Sequence, residues 1–449
     1  MHRAFMHIRR LGSVLLLHGK CPVHMGLAAT VLLLCAAFAV GLPKGSTSGQ
    51  RFCLRSLQMG KLEMELAFDV EPDAASHAQN VPSIGVDEGG LCAPGYSTAS
   101  PKYAASDIIV SMATTVVRVR AMAQVWALWM HGPHANGVRC FVSLHVSESV
   151  HMQEVEGLLA HHNLSCSVRF LRYKYEHRAL WSMAQLLDYN SSWYIFADDD
   201  TFFFMDNLLR TLSSLDASAS VFYGSISEDA KQVEKHGRFA YGGAGVIFGQ
   251  SAFLKTAWSV PSCFHKYGDL FGWDEMISRC AFDQNITFSR LDHLHQLDLE
   301  SDVTGLFESG YIDRNVVSIH HFGSYYDLFP GAEVNAVDAI THISRALSLL
   351  PPALRFQRVA WVSPHSNHTV LLTLGYSLTE YSNHVSRERL QCSEATWKPA
   401  AFMGCTRPRD HAKQSWFIQS AAEFAGGYTL IYISRSAGNV QVTLQLHQS

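Results

Sequence analysis

The stretch that decides the fold is Trp193–Phe204, which reads WYIFADDDTFFF. Its first five residues are apolar and predict a buried strand, and three consecutive aspartates follow, Asp198, Asp199 and Asp200. A carboxylate at the edge of a core costs free energy unless a partner compensates it. Carboxylate oxygens are the ligands that Mg²⁺ and Mn²⁺ prefer, so the cluster predicts a divalent-cation site. The alternative is a solvated turn that caps the helix predicted over residues 205–215.

The sequence before this stretch alternates between strand and helix patterns. IIVSMATT (108–115) and VRCFVSLH (138–145) are typical of buried strands, and VVRVRAMAQVWALW (116–129) and HRALWSMAQLLD (177–188) are typical of helices. Such alternation predicts an α/β fold with parallel strands, whose ligands bind beyond the carboxyl ends of the strands. The three aspartates occupy that position. If the strand geometry persists through them, we expect Asp198 and Asp200 to have different partners, one a metal ion and the other a sugar or ribose hydroxyl.

The remaining sequence suggests a division into five segments. Residues after Pro351 contain β-branched and alternating runs that predict the strands of a small β-rich module: RFQRVAWV (355–362), HTVLLTLGYSL (368–378), YTLIYISR (428–435) and NVQVTLQLH (439–447). The segment before residue 105 is rich in Ser, Gly, Pro and Ala. The expected segments are a cytoplasmic tail (1–25), a transmembrane signal anchor (26–42), a stem or linker (43–104), a catalytic domain (105–345) and the β-rich C-terminal module (346–449).

Composition excludes two classes of protein. Hydrophobic residues make up 48% and charged residues 16% of the chain, which favours a well-buried body over widespread disorder. The formal net charge is -4 and there is no run of Lys or Arg, so nucleic acid is not expected as a partner.

The uncharged stretch Gly26–Leu42 follows several basic residues, which predicts a signal anchor whose amino-terminal side stays cytoplasmic. A cleaved signal peptide is the alternative. A luminal body would explain the four glycosylation sequons and the ten cysteines, none of which form a CxxC pair. The sequon asparagines are Asn163, Asn190, Asn285 and Asn367.

Three later stretches contain residue types that can perform chemistry. FAYGGAGVIF (239–248) has glycines that permit close backbone approach to a ligand, or a plain turn. FGWDEMISRC (271–280) places Asp274 and Glu275 at the start of a predicted helix, where a carboxylate is either a cap or a general base. HLHQLD (293–298) and SIHHFGSYY (318–326) supply imidazoles that could bind a metal ion.

Taken in order, these stretches resemble glycosyltransferase family 31, the Fringe-like β-1,3-glycosyltransferases, and in particular the plant and fungal branch with a longer C-terminal region. The resemblance covers roughly residues 107–330. It rests on seven motifs in series: WYIFADDDTFFF, YGSISE, AYGGAG, Cys263, GWDEMISRC, HQLD and SIHH. It implies a GT-A type fold, a nucleotide-sugar-binding mixed sheet flanked by helices, with the β-rich module attached.

The resemblance also implies roles for the acidic cluster and the histidines. Asp200 would bind Mn²⁺ or another divalent cation directly. Asp198 would act on the metal through water or on the ribose, and Asp199 would contact the donor. His320 would be the third protein ligand of the metal, with His321 as the less favoured choice.

The same resemblance makes Asp274 the catalytic base, since it keeps the family's spacing from Cys280. A disulfide between Cys263 and Cys280 would hold the base loop, and pairings of Cys140 with Cys166 and of Cys392 with Cys405 are looser expectations. Trp273 and Glu275 depart from the family's usual residues and could reshape the acceptor pocket. The residues expected to line the substrate site are Asp198, Asp199, Gly242, Gly243, Ala244, Trp273 and Glu275.

The function these expectations describe is an inverting, metal-dependent transfer of a sugar from a UDP-sugar to a glycan or glycoprotein acceptor in β-1,3 linkage. The expected location is the Golgi membrane, as a type II protein with its catalytic domain in the lumen. One alternative is a luminal carbohydrate-binding pseudoenzyme of the same fold. Another is a glycoside hydrolase, which would use two carboxylates but would not explain the metal-type cluster.

Overall fold

The structure is a computed structural model. It describes residues 52–59, 62–63, 85–87, 90–92, 101–131, 135, 137–363, 367–398 and 405–448. The predicted cytoplasmic tail and signal anchor lie outside the described residues. Within the described part of the chain, no helix combines the length and the apolar character that crossing a bilayer requires.

The strands fall into five sheets. In chain order they are β1 (Phe52–Met59), β2 (Leu62–Glu63), β3 (Gly85–Asp87), β4 (Gly90–Cys92), β5 (Ile108–Ala113), β6 (Arg139–His145), β7 (Cys166–Leu171), β8 (Trp193–Ala197), β9 (Phe202–Phe203), β10 (Val221–Gly224), β11 (Val246–Gly249), β12 (Thr287–Arg290), β13 (Leu294–His295), β14 (Glu300–Asp302), β15 (Ser318–Ile319), β16 (Tyr326–Asp327), β17 (Arg358–Val362), β18 (Thr369–Thr373), β19 (Ser377–Tyr381), β20 (Ser393–Glu394), β21 (Trp397–Lys398), β22 (Thr406–Arg407), β23 (Gln414–Phe424), β24 (Gly427–Ser434) and β25 (Gly438–Gln448).

The helices lie mostly in the first two thirds of the described chain. They are α1 (Val116–Met130), α2 (Met152–His161), α3 (Tyr175–Gln185), α4 (Met205–Ser213), α5 (Ala230–His236), α6 (Gln250–Trp258), α7 (Val260–Tyr267), α8 (Trp273–Asp283), α9 (Thr304–Glu308), α10 (Ala336–Leu349) and α11 (Arg387–Gln391).

A mixed sheet of seven strands forms the centre of the first part, in the order β12-β10-β11-β8-β5-β6-β7. Strands β8, β5, β6 and β7 run parallel to one another, and β11 runs antiparallel to β8. Every residue of β5 and β8 is buried, as the two continuous apolar runs predict. The carboxyl ends of β5 and β8 therefore lie side by side, which brings Thr114 and Asp199 together.

Helices cover both faces of this sheet. Trp193 and Ile195 of β8 pack into one apolar core, whereas Tyr194 and Phe196 pack into another. This division follows from the two-residue period of a strand, which sends successive side chains to opposite faces. The predicted α/β fold, a mixed sheet flanked by helices, is confirmed.

A small three-stranded sheet, in the order β13-β15-β9, lies next to the aspartate cluster. Strands β15 and β9 are antiparallel, with Ile319 opposite Phe202, and β15 runs parallel to β13. Because β9 begins two residues after Asp200 and β15 ends one residue before His320, this pairing places the histidine beside the aspartates.

The C-terminal sheet has the order β17-β18-β19-β23-β24-β25-β1-β4-β3, with β2 paired to β1. It is a succession of antiparallel hairpins, and it confirms the predicted β-rich character of this region. The run HTVLLTLGYSL forms two strands instead of one because the chain turns at Gly375, whose φ is +79°. Strands within the predicted stem were not expected, and β1 pairs along β25.

A buried polar network joins the two parts. The carboxylates of Glu308 and Glu394 are fully buried, and the ammonium group of Lys413 lies 2.7 Å from Glu394 and 3.5 Å from Glu308. The hydroxyl of Tyr381 donates to Glu308, and Arg407 donates to that hydroxyl. Buried charges are tolerated only when they are paired in this way. The division at residues 345 and 346 stays a prediction.

Candidate active site

The carboxylates of Asp198 and Asp200 converge on one histidine. The Nε2 atom of His320 lies 2.9 Å from Oδ1 of Asp200 and 3.5 Å from Oδ2 of Asp198. Both carboxylates therefore point to the same imidazole, whereas Asp199 points elsewhere, in a chain that turns after β8 ends at Ala197. The different ligands expected for Asp198 and Asp200 stay a prediction. The aspartates do not cap α4 with a side chain, since its N-cap residue is Phe204.

His320 is held from three sides. Its Nδ1 atom lies 3.2 Å from the carbonyl oxygen of Gln296, which can only accept, so Nδ1 carries a hydrogen and Nε2 faces the aspartates. The backbone of Gly243 packs against the ring so closely that a Cβ atom there would collide with it. Burial opposes the charged imidazole, but Asp200 and Asp198 outweigh it and raise the pKa of His320 to about 9.

This arrangement fits a divalent cation. Ligand atoms of Asp200, His320 and His321 lie within 4.8 Å of one another. Burial would raise the pKa of the Asp200 carboxyl, yet His320, His321 and Arg118 hold that pKa well below its usual range. A carboxylate with one or two imidazoles is a donor set that suits Mn²⁺ and related ions.

His321 is arranged differently from His320. Its backbone φ is 62°, and its ring stacks on Tyr325 with ring centroids 4.0 Å apart. Its Nε2 atom lies 3.2 Å from Asp298, and its Nδ1 atom lies 3.1 Å from Ser324 and 4.0 Å from Asp200. Both ring nitrogens of His321 therefore already have partners, and the expected preference for His320 as the metal ligand stays a prediction.

Asp199 faces away from this cluster. Its carboxylate accepts from Nε of Arg118 at 2.9 Å and from the hydroxyl of Thr114, and Trp126 donates to its backbone carbonyl at 2.8 Å. Arg118 also lies 3.2 Å from Asp200. The donor contact expected of Asp199 stays a prediction; in this structure the buried carboxylate instead ties the cluster to the start of α1.

Asp274 lies in the first turn of α8, whose N-cap is Gly272. One of its carboxylate oxygens accepts from the backbone nitrogen of Gly242 at 2.8 Å, and the other accepts from that of Glu275 at 2.9 Å. Burial, aided by the charge of Asp198, raises the pKa of Asp274 to about 7. A carboxyl with this pKa can accept a proton near neutral pH.

Trp273 lies between Asp274 and the aspartate cluster. Its side chain is 5% exposed, and its indole Nε1 donates to Oδ1 of Asp198 at 2.9 Å. The indole packs on Gly242, where a Cβ atom would overlap it. The hydroxyl of Tyr175 donates to the same Oδ1 atom at 3.0 Å.

The other predicted lining residues occupy neighbouring positions. Gly242, Gly243 and Ala244 form a single 3₁₀ turn before β11, and the backbone nitrogen of Ala244 donates to the Gln296 side chain at 2.8 Å. Glu275 lies 3.2 Å from Arg279, which follows it by four residues in α8.

The disulfide between Cys263 and Cys280 is confirmed, and it joins α7 to α8. The pairings of Cys140 with Cys166 and of Cys392 with Cys405 are confirmed as well.

Sequence reasoning missed four residues of this site. Arg118, Tyr175 and Thr114 come from elements remote in sequence, and no local pattern distinguishes them from ordinary helix and loop residues. Asp298 is the last residue of the HQLD motif, and its carboxylate accepts hydrogen bonds from the side chains of His321, Ser227 and Gln296. The motif could therefore have identified Asp298 as a residue of the site.

Comparisons with known proteins agree with this geometry. The family model described as Fringe-like matches residues 143–320. A second model, described as "Protein of unknown function, DUF604", matches residues 232–412. No curated protein matches the chain.

Several solved structures of glycosyltransferases are similar at low identity. The galactosyltransferase LgtC in complex with donor and acceptor sugar analogues is 11% identical, with 54% of this chain and 97% of that chain covered and a TM-score of 0.36. Mouse xyloside xylosyltransferase 1 is 11% identical, with 47% and 96% covered and a TM-score of 0.30. A mannosyltransferase from Pyrobaculum calidifontis in complex with GDP-Man and Mn²⁺ is 10% identical, with 44% and 58% covered and a TM-score of 0.31.

The two family matches overlap on residues 232–320, the part of the chain that contains Asp274, the Cys263–Cys280 disulfide and His320. The resemblance to the Fringe-like family that the sequence motifs indicate is therefore confirmed over residues 143–320.

Proposed function

We propose that the protein is an inverting, metal-dependent glycosyltransferase that moves a sugar from a UDP-sugar to a hydroxyl group of a glycan or glycoconjugate in β-1,3 linkage. The observation that supports this most is the juxtaposition of two groups of residues. Asp198, Asp200 and His320 form a cation-type cluster, and Asp274, which has a raised pKa, is linked to that cluster through Trp273.

The cation cluster would receive the donor. Asp200 and His320, with Asp198 directly or through water, would hold Mn²⁺ or another divalent cation. Such an ion, when bound, stabilises the negative charge that grows on the leaving diphosphate. Arg118 lies against Asp199 and Asp200 and keeps both carboxylates in place.

Asp274 would act as the general base. Its carboxylate takes the proton of the acceptor hydroxyl while that oxygen bonds to the anomeric carbon. The bond from the anomeric carbon to the diphosphate oxygen breaks, and its electron pair leaves with UDP. Displacement in line inverts the anomeric centre. The backbone N–H groups of Gly242 and Glu275 orient the carboxylate, and its pKa of about 7 lets it be ionised and still accept a proton.

We also propose that the protein lies in the Golgi membrane with its catalytic domain in the lumen. Two features of the described residues support a luminal location: three disulfides, and the exposure of all four sequon asparagines. Treatment of the protein from a eukaryotic host with an N-glycan-removing enzyme should increase its electrophoretic mobility. An unchanged mobility would contradict a luminal location.

The experiment that tests the proposed activity is nucleotide release from a panel of UDP-sugars by the purified protein, with Mn²⁺ and with EDTA, in the presence of a mixture of glycan acceptors. We expect UDP release that requires the metal and that one sugar supports best. Equal release in EDTA would contradict metal dependence. No release, together with no Mn²⁺-dependent binding of UDP, would overturn the proposed activity.

A further inference from the structure

Trp273 contacts both halves of the proposed site. Its indole N–H donates to Oδ1 of Asp198, and its six-membered ring packs on the backbone of Gly242. Gly242 in turn donates its N–H to the carboxylate of Asp274. One side chain therefore contacts a residue of the cation cluster and the backbone group that orients the proposed base.

The hydrogen bonds at Asp198 fix which oxygen faces the cation cluster. Oδ1 accepts from Trp273 at 2.9 Å and from Tyr175 at 3.0 Å, whereas Oδ2 lies 3.5 Å from Nε2 of His320. With Oδ1 occupied by two neutral donors, the carboxylate cannot rotate without breaking both bonds. Partners of this kind commonly change metal affinity by about 10- to 100-fold when they are removed.

We propose that Trp273 is a positioning residue that couples the donor half of the site to the base half. Its hydrogen bond orients Asp198 toward the cation, and its packing on Gly242 fixes the N–H group that orients Asp274. This inference rests on the proposed function. Tyr175 shares the first task, because its hydroxyl bonds Asp198. We assign the second task to Trp273 alone, because the three atoms nearest to a Cβ built on Gly242 all belong to Trp273.

The two tasks can be separated with matched variants. Trp273→Phe removes the N–H group and the outer part of the ring that lies on Gly242. Tyr175→Phe removes only a hydroxyl donor to the same oxygen. Trp258→Phe is the control, because the side chain of Trp258 is 73% exposed and lies outside the site. All three variants keep an aromatic ring, and thermal unfolding establishes that each one folds.

Calorimetric titration with Mn²⁺ and UDP measures the first task without any turnover. We expect Trp273→Phe and Tyr175→Phe each to weaken UDP binding by about 10-fold, and Trp258→Phe to leave it unchanged. Steady-state kinetics at saturating donor measure the second task. We expect kcat to fall at least about 10-fold in Trp273→Phe and to change less than about threefold in Tyr175→Phe. In Trp273→Phe, the pH at which the rate is half-maximal on the acid side of the profile should also shift.

Two results would overturn the inference. One is a Trp273→Phe variant that binds UDP and turns over like the Trp258→Phe control. The other is an equal loss of kcat in Trp273→Phe and Tyr175→Phe, which would show that Trp273 acts only through Asp198. A wild-type protein that neither binds UDP with Mn²⁺ nor releases it from UDP-sugars would instead overturn the proposed function, and this inference with it.

Discussion

The Nε2 atom of His320 lies 2.9 Å from Oδ1 of Asp200, although Asp200 lies two residues before strand β9 and His320 directly follows strand β15. The antiparallel pairing of β15 with β9 brings them together, and the absence of a side chain at Gly243 leaves room for the imidazole. The proposed cation site therefore depends on backbone pairing and on one glycine as much as on its ligands.

Gly243→Ala should abolish Mn²⁺-dependent UDP binding, because the added methyl group would occupy the position of the His320 ring. Calorimetry measures the loss directly. The matched control is Gly157→Ala: Gly157 lies in helix α2, and a Cβ atom there meets nothing within 4 Å. That control should bind UDP normally and gain about 0.5–1 kcal/mol of stability. Normal binding by Gly243→Ala would contradict the placement of His320 in the site.

Asp274→Asn should lower the rate of sugar transfer by about 10²- to 10⁴-fold, because an amide cannot accept the acceptor's proton. The amide keeps an oxygen that can accept from the Gly242 or Glu275 N–H, so the backbone should stay in place. Binding of UDP with Mn²⁺ should change less than about threefold. A variant that loses UDP binding together with transfer would place Asp274 in the donor site and would contradict its assignment as the base.

The pH dependence of transfer should show the raised pKa of Asp274, about 7. The base must be ionised, so kcat/KM for the acceptor should be level above that pH and fall about 10-fold per pH unit below it. Binding of UDP with Mn²⁺ is measured separately at each pH, because the pKa of His320 is raised as well. A profile that stays level down to pH 5 would show that Asp274 is not the titrating base.

Loss of the Cys263–Cys280 disulfide should reduce both stability and transfer. The bond links two cysteines that are 17 residues apart in sequence, and it joins α7 to the helix that contains Asp274. Replacing both cysteines by serine should cost about 3 kcal/mol of unfolding free energy, measured by denaturant titration, and should lower kcat.

The comparison variant removes Cys392 and Cys405, which have a separation of 13 residues and lie in the C-terminal region. It should lose a similar amount of stability and keep its kcat. Equal kcat values for the two double variants would show that the Cys263–Cys280 bond has no part in placing Asp274.

Much of the central fold could be predicted from the sequence. The runs IIVSMA and WYIFA are continuous apolar strands because both faces of the sheet are covered, so their pattern is strong. Strand β23 was missed because polar and apolar residues alternate only weakly in its second half, which is largely exposed. The strands of the predicted stem were missed because β1 pairs with β25, which lies almost at the other end of the chain, and β2 and β4 pair with β1.

The site was predictable where the residues lie in one motif and not where they meet through the fold. Asp198, Asp200, Asp274 and His320 each lie in a motif that can be recognised in the sequence. The role of Asp199 as an anchor depends on Arg118 and Thr114, which reach it only because β5 and β8 are neighbours. The hydrogen bond between Trp273 and Asp198 likewise depends on tertiary contact, and no spacing in the sequence indicates it.

The proposed cation site is tested best by a calorimetric titration of UDP, with and without Mn²⁺, into the wild-type protein and into Asp200→Ala, His320→Ala and His321→Ala. We expect the wild type to bind UDP only when Mn²⁺ is present. We expect the affinity to fall at least about 100-fold in Asp200→Ala and in His320→Ala, and less in His321→Ala, whose ring has other partners. UDP binding that is unchanged by EDTA, or that survives both Asp200→Ala and His320→Ala, would show that these residues do not hold a cation for the donor.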